Sequence, residues 1–409
     1  MSYRVLSAEL ARHPAATIRL AGWVHRRREL ARVTFLIVRD RAGLAQVVVP
    51  PGVPVPAEES VVEVTGRVVA NEVAPGGFEV AYQKIDVLSE AEPPPVELFR
   101  PTVEAGLPAL LDHAAVTLRH PARRSVFAAS AAAVAAFRAT LDALGFTEVF
   151  TPKIVGTATE SGANVFALDY FGRPAYLAQS PQFYKQTMVG VFERVYEAGP
   201  VFRAEPHDTS RHLATYTSLD AELGFIRDHR DVMAVLTSVV RAMTEAAALD
   251  AVRIPDEIPV VHFTEALRLA GAPADEPDLA PEHERAVGAW ALREHGSDLV
   301  YVEGYPMAKR PFYTHPQPSD PRWSNSFDLL FRGMELVTGG QRLHRYADYL
   351  RALGPQAQPL DGYLEAFRHG MPPHGGFAIG LERFLARLTG AANVRETTLF
   401  PRDLHRLTP

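Results

Sequence analysis

A proline-rich segment, Glu90 to Pro101, divides this chain into two stretches of different character. Pro93, Pro94, Pro95 and Pro101 remove backbone donors and fix φ, so the segment reads as a semi-rigid linker between folded parts. With 409 residues the chain is long enough for two such parts, one of them large. The expected division is 1–90, a linker over 91–120, and 121–409.

Ahead of the linker, strand patterns run from Ile18 to Val24, Val33 to Arg39, Leu44 to Val49, Ser60 to Val69 and Phe78 to Val87. Turn signals at Arg41-Ala42-Gly43, Pro50-Pro51-Gly52 and Pro75-Gly76-Gly77 separate them. Five short strands suit a small β-barrel of the oligonucleotide-binding (OB-fold) type, although other small barrels share the pattern. Arg26, Arg27, Arg28, Arg32, Arg39 and Arg41 cluster here against only Glu29 and Asp40. They make a local polyanion site, or else edge solvated strands.

Beyond the linker the pattern is α+β. Pro121 opens an Ala-rich helix that Gly145 is placed to end, and Ser180-Pro181 opens another reaching about Arg194. Further helices are expected near Asp231–Ala248, Pro281–His295 and Leu381–Leu388. Strand-like runs between them do not alternate regularly with the helices, which favours a mainly antiparallel sheet with packed helices.

Composition narrows the function. Hydrophobic residues at 47% and charged residues at 22% suit a globular protein, and a net charge of −6 argues against coating nucleic acid over the whole surface. Zero cysteines exclude disulfides, thiolate metal sites and a cysteine nucleophile. No basic segment followed by an apolar run marks the start, and no stretch reads as a bilayer span, so a cytoplasmic location without membrane association is expected.

Neither a G-x-x-x-x-G-K-[ST] loop nor a G-x-G-x-x-G fingerprint occurs, so a nucleotide would have to be held by side chains. Arg203 and Glu205, in Val201-Phe202-Arg203-Ala204-Glu205, alternate with apolar neighbours and are expected to project from the same face of a strand. Arginine suits a phosphate and glutamate an exocyclic amine, but such a pair is also a common cross-sheet salt bridge. Gly375-Gly376-Phe377-Ala378-Ile379-Gly380-Leu381-Glu382-Arg383 is a glycine-rich strand entering a helix, with Arg383 in the first turn. Glu382 and Arg383 could equally be surface charges.

These two segments resemble motifs 2 and 3 of class II aminoacyl-tRNA synthetases. Gly145 to Pro152 resembles motif 1. The resemblance implies ATP as substrate, with Arg203 on the α-phosphate, Glu205 on the adenine amino group, and Arg383 on the γ-phosphate. Arg211, His212 and Glu335 are implied to complete the ATP site, and a homodimer is implied through motif 1.

Glu335-Leu336-Val337-Thr338-Gly339-Gly340-Gln341-Arg342-Leu343-His344 is similar to the aspartate-activating members. That similarity assigns L-aspartate as substrate, its side-chain carboxylate to Lys185 and Arg342, and its backbone end to Gln182 and Asp220. Glu160 and Ser161, in a loop of small residues, are implied to contact the amino acid or simply to connect. Asp328 and Glu335 flank a tight turn at Arg332-Gly333, which would put their Cβ atoms roughly 7 Å apart, within reach of one ion. Family members use this pair for Mg2+.

In the barrel, Phe35 and Gln46 match anticodon readers of the family, with Arg26 and Arg28 as neighbours; Phe35 as barrel core is the competing reading. Members strict for tRNA(Asp) tend to carry tryptophan where this chain has His25 and lysine where it has Pro75. The resemblance therefore implies a non-discriminating enzyme that charges both tRNA(Asp) and tRNA(Asn), with an amidotransferase as a downstream partner. An asparaginyl-tRNA synthetase and a non-catalytic tRNA-binding paralogue are the alternatives. Against them stand Lys185, Asp220 and Arg342 in the first case and the intact set Arg203, Glu205, Arg383, Asp328 and Glu335 in the second.

Overall fold

A computed structural model describes residues 4–157, 164–248 and 251–408. The chain forms two compact units, Met1–Arg124 and Ser125–Pro409.

In the first unit, β1 (Thr17–Leu30), β2 (Val33–Arg39), β3 (Leu44–Val49), β4 (Val61–Ala70) and β5 (Phe78–Ser89) close into a barrel in the order β1-β2-β3-β5-β4. Alternation drives the closure: Leu36, Val38, Ala45, Val47, Val62, Val64 and Val80 point inward and are fully buried. The first strand runs six residues past its expected end. A bulge between Val24 and Arg26 makes this possible and sets Arg26 opposite Ile37 and Arg28 opposite Phe35. After the barrel come α1 (Leu107–Asp112) and α2 (Ala114–Thr117).

The second unit begins within α3 (Pro121–Ala143). This helix corrects one expectation, because by length and composition alone it contains a stretch apolar enough to cross a bilayer. Its apolarity is largely alanine, and Ala129, Ala133, Phe137 and Leu141, one face at four-residue spacing, are buried in the main core.

The elements that follow are β6 (Thr147–Glu148), β7 (Ile154–Val155), β8 (Ala167–Tyr170), β9 (Arg173–Leu177), α4 (Gln182–Phe192), β10 (Arg194–Phe202) and β11 (Thr215–Gly224). Next come α5 (His229–Ala247), β12 (Val260–His262), α6 (Phe263–Ala270), α7 (Pro281–His295) and β13 (Leu299–Glu303). The chain finishes with β14 (Ser326–Phe331), β15 (Met334–Gln341), α8 (Tyr346–Leu353), α9 (Asp361–Arg368), β16 (His374–Gly380) and α10 (Leu381–Thr389).

An eight-stranded sheet has the order β12-β13-β14-β15-β16-β11-β10-β6. Its inner pairs are antiparallel, and the pairs β12·β13 and β10·β6 at the two edges are parallel. Strands β7, β9 and β8 form a separate small sheet. The turn at Arg332-Gly333 has φ of 46° and 69°, the paired positive values of a type I′ hairpin, with Leu330 opposite Glu335 as expected. A bulge then shifts the register, so Asp328 pairs with Thr338.

Candidate active site

A cavity of about 350 Å³ opens over the middle of this sheet, lined from α4, β11, β15, β16, α10 and the loops after β10 and β13. Gln182, Lys185, Arg203, Glu205, Arg211, His212, Glu335, Arg342 and Arg383 all border it. Residues spread over 200 positions of sequence are thus gathered around one space.

One end of the cavity is built on fully buried charge. Lys185 projects from α4, whose first N–H, that of Gln182, donates to the Ser180 hydroxyl at 3.1 Å. The helix starts a residue later than expected, so Pro181 and not Ser180 stands at the N-cap, and the Ser180 hydroxyl lies one position ahead of it. The Lys185 ammonium donates to Asp220 at 3.0 Å and to the Phe377 carbonyl at 3.1 Å, and stands 3.3 Å from Glu222. Arg342 donates through Nε to Glu222 at 3.0 Å and through Nη2 to the Gly376 carbonyl at 3.1 Å. Burial opposes ionisation of Glu222, but Arg342 and Lys185 outweigh it and hold its pKa below the usual carboxylate value.

A Cβ on Gly376 would lie 2.0 Å from the Glu222 carboxylate, which explains glycine on β16 at this point. Burial holds the neighbouring His374 neutral, its pKa down to about 4. The Gln182 side-chain Nε2, buried at the cavity wall, has no hydrogen-bond partner among the described residues. A buried donor left open in this way is suited to a ligand acceptor.

Lys185 and Arg342 are paired before any substrate arrives. Asp220 and Glu222, two apart on β11 and therefore on one face, already neutralise them. Arg342 Nη1 forms no hydrogen bond among the described residues and remains for a ligand. The sequence displayed Glu222 beside Asp220 with the spacing that puts both on one side, and that spacing was the available signal for it.

The other end is more open and its ion pairs are longer. Strand β10 ends at Phe202, so Arg203 and Glu205 lie in the following loop and not on one strand face as expected. The Arg203 backbone N–H still bonds Ala214 at 2.9 Å, and its guanidinium lies 5.6 Å from the Tyr216 ring centre and 3.9 Å from Glu205. His212 also stands 3.9 Å from Glu205, its pKa lowered by burial and by the charge of Arg383. Arg383, in the first turn of α10, is 3.6 Å from Glu335. Arg211 pairs at 3.0 Å with Glu284 of α7, which also accepts the Glu335 backbone N–H at 3.2 Å. Glu382 is no surface charge: it is 7% exposed, accepts the Thr217 N–H at 3.0 Å, and has its pKa pushed up to about 7 by burial.

Asp328 lies behind this end, 5% exposed, with both carboxylate oxygens 3.1 Å from Arg310 Nη2. Burial raises its pKa to about 6, Arg310 opposes that rise, and the nearby charge of Glu335 adds to it. Two neighbouring carboxylates of which one is pushed up in this way fit a divalent cation whose other ligands come from phosphates. No group of three His, Asp or Glu residues gathers among the described residues, so they do not fit a metal held by protein alone. Arg310 sits in a loop with no sequence signature and was not anticipated. Glu160 and Ser161 lie outside the described residues.

On the barrel, Arg26, Arg28, Phe35 and Gln46 share the outer face of β1, β2 and β3: Arg28 is opposite Phe35, and Ile37 faces both Arg26 and Gln46. Phe35 alternates with buried Thr34 and Leu36 and points away from the core, which removes the competing reading. Gln46 bonds Glu79 at 2.9 Å, and Pro75 is exposed in the turn before β5. His25 is different. It is the bulged residue of β1 and faces inward, 7% exposed and 3.1 Å from Arg39, so it does not join that outer face. Burial and Arg39 lower its pKa to about 4.

The family model of tRNA synthetases class II (D, K and N) matches residues 108–404, and that of the OB-fold nucleic acid binding domain matches residues 18–88. The chain is 47% identical to an aspartate-tRNA(Asp/Asn) ligase of Thermus thermophilus, covering 99% of this chain and 100% of that one. A ligase of the same name from Deinococcus radiodurans is 48% identical with 99% of each chain covered. Among solved structures, asparaginyl-tRNA synthetase from Pyrococcus horikoshii complexed with asparaginyl-adenylate superposes with a TM-score of 0.90 at 30% identity, with both chains fully covered.

Proposed function

Because the chain belongs to the class II tRNA synthetases of the aspartate, lysine and asparagine group, we propose that it activates L-aspartate with ATP and transfers it to tRNA(Asp) and tRNA(Asn). It is an aminoacyl-tRNA synthetase with an OB-fold anticodon-binding domain. The observation that carries the choice of amino acid is the buried quartet Lys185, Arg342, Asp220 and Glu222 at one end of the cavity. A carboxylate side chain accepts from Arg342 Nη1 and the Lys185 ammonium. An asparagine amide would instead turn its own N–H donors toward them, which is the kind of mismatch a polar pocket rejects strongly. Asp220 and Gln182 are suited to the ammonium and carboxylate of the substrate backbone.

In the first step an oxygen of the ionised α-carboxylate attacks the α-phosphorus of ATP, and the bond to the β-phosphate oxygen breaks. No general base is needed. Arg203 stabilises charge on the α-phosphate, Glu205 accepts from the adenine amino group, and Arg383 with Arg211 and His212 holds the departing pyrophosphate. A magnesium ion held by Asp328 and Glu335 with ATP would neutralise phosphate charge. In the second step a ribose hydroxyl at the tRNA 3′ end attacks the aspartyl carbonyl carbon, its proton passes to the adenylate phosphate, and the bond to that phosphate breaks as AMP leaves.

Arg26, Arg28, Phe35 and Gln46 offer cations and an aromatic ring on one exposed face, the elements of single-stranded RNA recognition. The inward turn of His25 and the exposed Pro75 leave neither a bulky ring nor a cation at those places, which supports acceptance of both anticodons. Aspartyl-tRNA(Asn) then requires an amidotransferase. Phe150, 81% exposed, supports a homodimer through motif 1. A cytoplasmic location is part of this proposal. The test is charging of tRNA(Asp) and tRNA(Asn) transcripts with labelled aspartate and, in parallel, labelled asparagine. Aspartate on both tRNAs is expected; aspartate on tRNA(Asp) alone removes the dual specificity, and asparagine transfer removes the reading of the quartet.

A further inference from the structure

The loop joining β10 to β11 carries Arg203, Glu205, Arg211 and His212, yet residues 203–214 contain no helix or strand. Ordering so many residues is entropically expensive, so a loop that must hold four ligand-facing side chains needs external ties. The ties come from residues 393–406, which follow α10. Val394 N–H donates to the Ser210 carbonyl at 3.0 Å, and the Ala214 N–H donates to the Arg402 carbonyl at 2.7 Å.

Between these backbone bonds sits Arg395, 7% exposed. Its Nε donates to Asp403 at 2.5 Å, its Nη2 to Asp208 at 2.7 Å, and its Nη1 to the Thr209 carbonyl at 3.1 Å. Asp403 is in turn fixed by the N–H groups of His405 and Arg406, both at 2.8 Å. The same segment reaches the phosphate side, where Thr397 Oγ1 donates to the Glu382 carbonyl at 2.9 Å, one residue before Arg383.

We propose that Arg395, braced by Asp403, is a positioning residue for ATP: it clamps the β10–β11 loop at Asp208 and Thr209, so that the loop's side chains and Arg383 keep one mutual geometry around the nucleotide. The inference rests on the reading that this cavity activates aspartate with ATP. A planar guanidinium with every nitrogen engaged is the group for such a clamp, because a lysine could satisfy only part of it. Arg395 touches neither substrate in this scheme and acts through the loop.

Aspartate-dependent ATP–pyrophosphate exchange by the full chain, with hydrogen exchange over residues 205–212, tests it. Arg395→Ala should raise the KM for ATP on the order of tenfold or more while the KM for aspartate stays within about twofold, since misplaced loop groups serve only the nucleotide. Hydrogen exchange in the loop should accelerate. Asp208→Asn, on the half-exposed side of the clamp, should reproduce part of the effect, and the double variant should be no worse than Arg395→Ala alone.

An unchanged ATP KM in Arg395→Ala, or ATP and aspartate KM values rising together, overturns the clamp. Should Arg395→Ala not fold, Asp208→Asn decides by the same criterion. A wild-type chain with no aspartate-dependent exchange would sink the functional reading, and the clamp would then stand or fall on the loop's hydrogen exchange.

Discussion

Replacing Glu222 with glutamine should weaken the fold and make its remaining stability depend on aspartate. Glu222 is fully buried, 3.0 Å from Arg342 and 3.3 Å from Lys185, and is ionised at neutral pH because those two cations outweigh its burial. Glutamine keeps the shape and one acceptor but leaves two buried cations facing the single charge of Asp220. Breaking a buried pair from one side costs about 3–5 kcal/mol. At about 2 °C per kcal/mol for a unit of this size, the melting temperature should fall by about 6–10 °C. Saturating aspartate brings a carboxylate to the uncompensated cations, so its stabilising shift should be larger in the variant than in the wild type, whereas asparagine should give no such gain. Differential scanning fluorimetry with each amino acid measures both effects. A variant as stable as the wild type would show that the quartet is not electrostatically coupled. Equal shifts with aspartate and asparagine would refute the assignment of Lys185 and Arg342 to the substrate carboxylate.

Arg203→Ala should lower kcat for pyrophosphate exchange by about 10²–10³-fold with little change in the KM for aspartate, as for loss of one donor to transition-state charge; a loss confined to the KM for ATP would place Arg203 on the ground-state nucleotide only. Phe35→Ala should raise the KM for tRNA by about 5–150-fold, the range for one stacked base, and leave pyrophosphate exchange intact. Glu382→Gln should stabilise the protein relative to wild type as pH rises. Burial raises the folded pKa of Glu382 to about 7, so the stability tied to its neutral form is present below the unfolded value and is lost as pH climbs through 7. Glutamine stays neutral, and the gap between variant and wild type in urea titrations should widen by on the order of 3 kcal/mol between pH 4.5 and 8. A constant gap would show that the carboxyl is already ionised at the lower pH.

The barrel was legible because inward positions alternate without interruption through β2, β3 and β4, and the turn residues between them leave few other pairings. His25 was not, because a bulge has no hydrophobic signature: one extra residue in β1 turns a side chain that the alternation would place outside into the interior. The hairpin at Arg332-Gly333 was found from its turn, and again a bulge changed the pairing of Asp328. In the catalytic unit, resemblance located Lys185 and Arg342 but not what neutralises them. Charge compensation depends on contacts between β11 and α4, 35 residues apart, and between β11 and residue 342, 120 apart, and no local pattern encodes it. Arg310 and Glu284 escaped for the same reason, each being an unremarked charge until the fold brings it to Asp328 or Arg211.

The two ends of the cavity are built differently, and the difference matches what each must do. Around the amino acid the cations are nearly inaccessible, Lys185 at 1% and Arg342 at 8% side-chain exposure, and their partners stand at 3.0–3.3 Å. Around the nucleotide, Arg203 and Arg383 are about a third exposed and their carboxylate neighbours stand at 3.9 and 3.6 Å. Discrimination between a carboxylate and an amide of the same size needs donors that cannot rotate away to suit the wrong ligand, and buried cations held by ion pairs provide that. A triphosphate carries several charges, and loose, solvated pairs yield to it with little loss because such pairs contribute little by themselves. Rigidity on the nucleotide side then has to come from the backbone that carries these side chains, which is the task the Arg395 contacts are placed to perform.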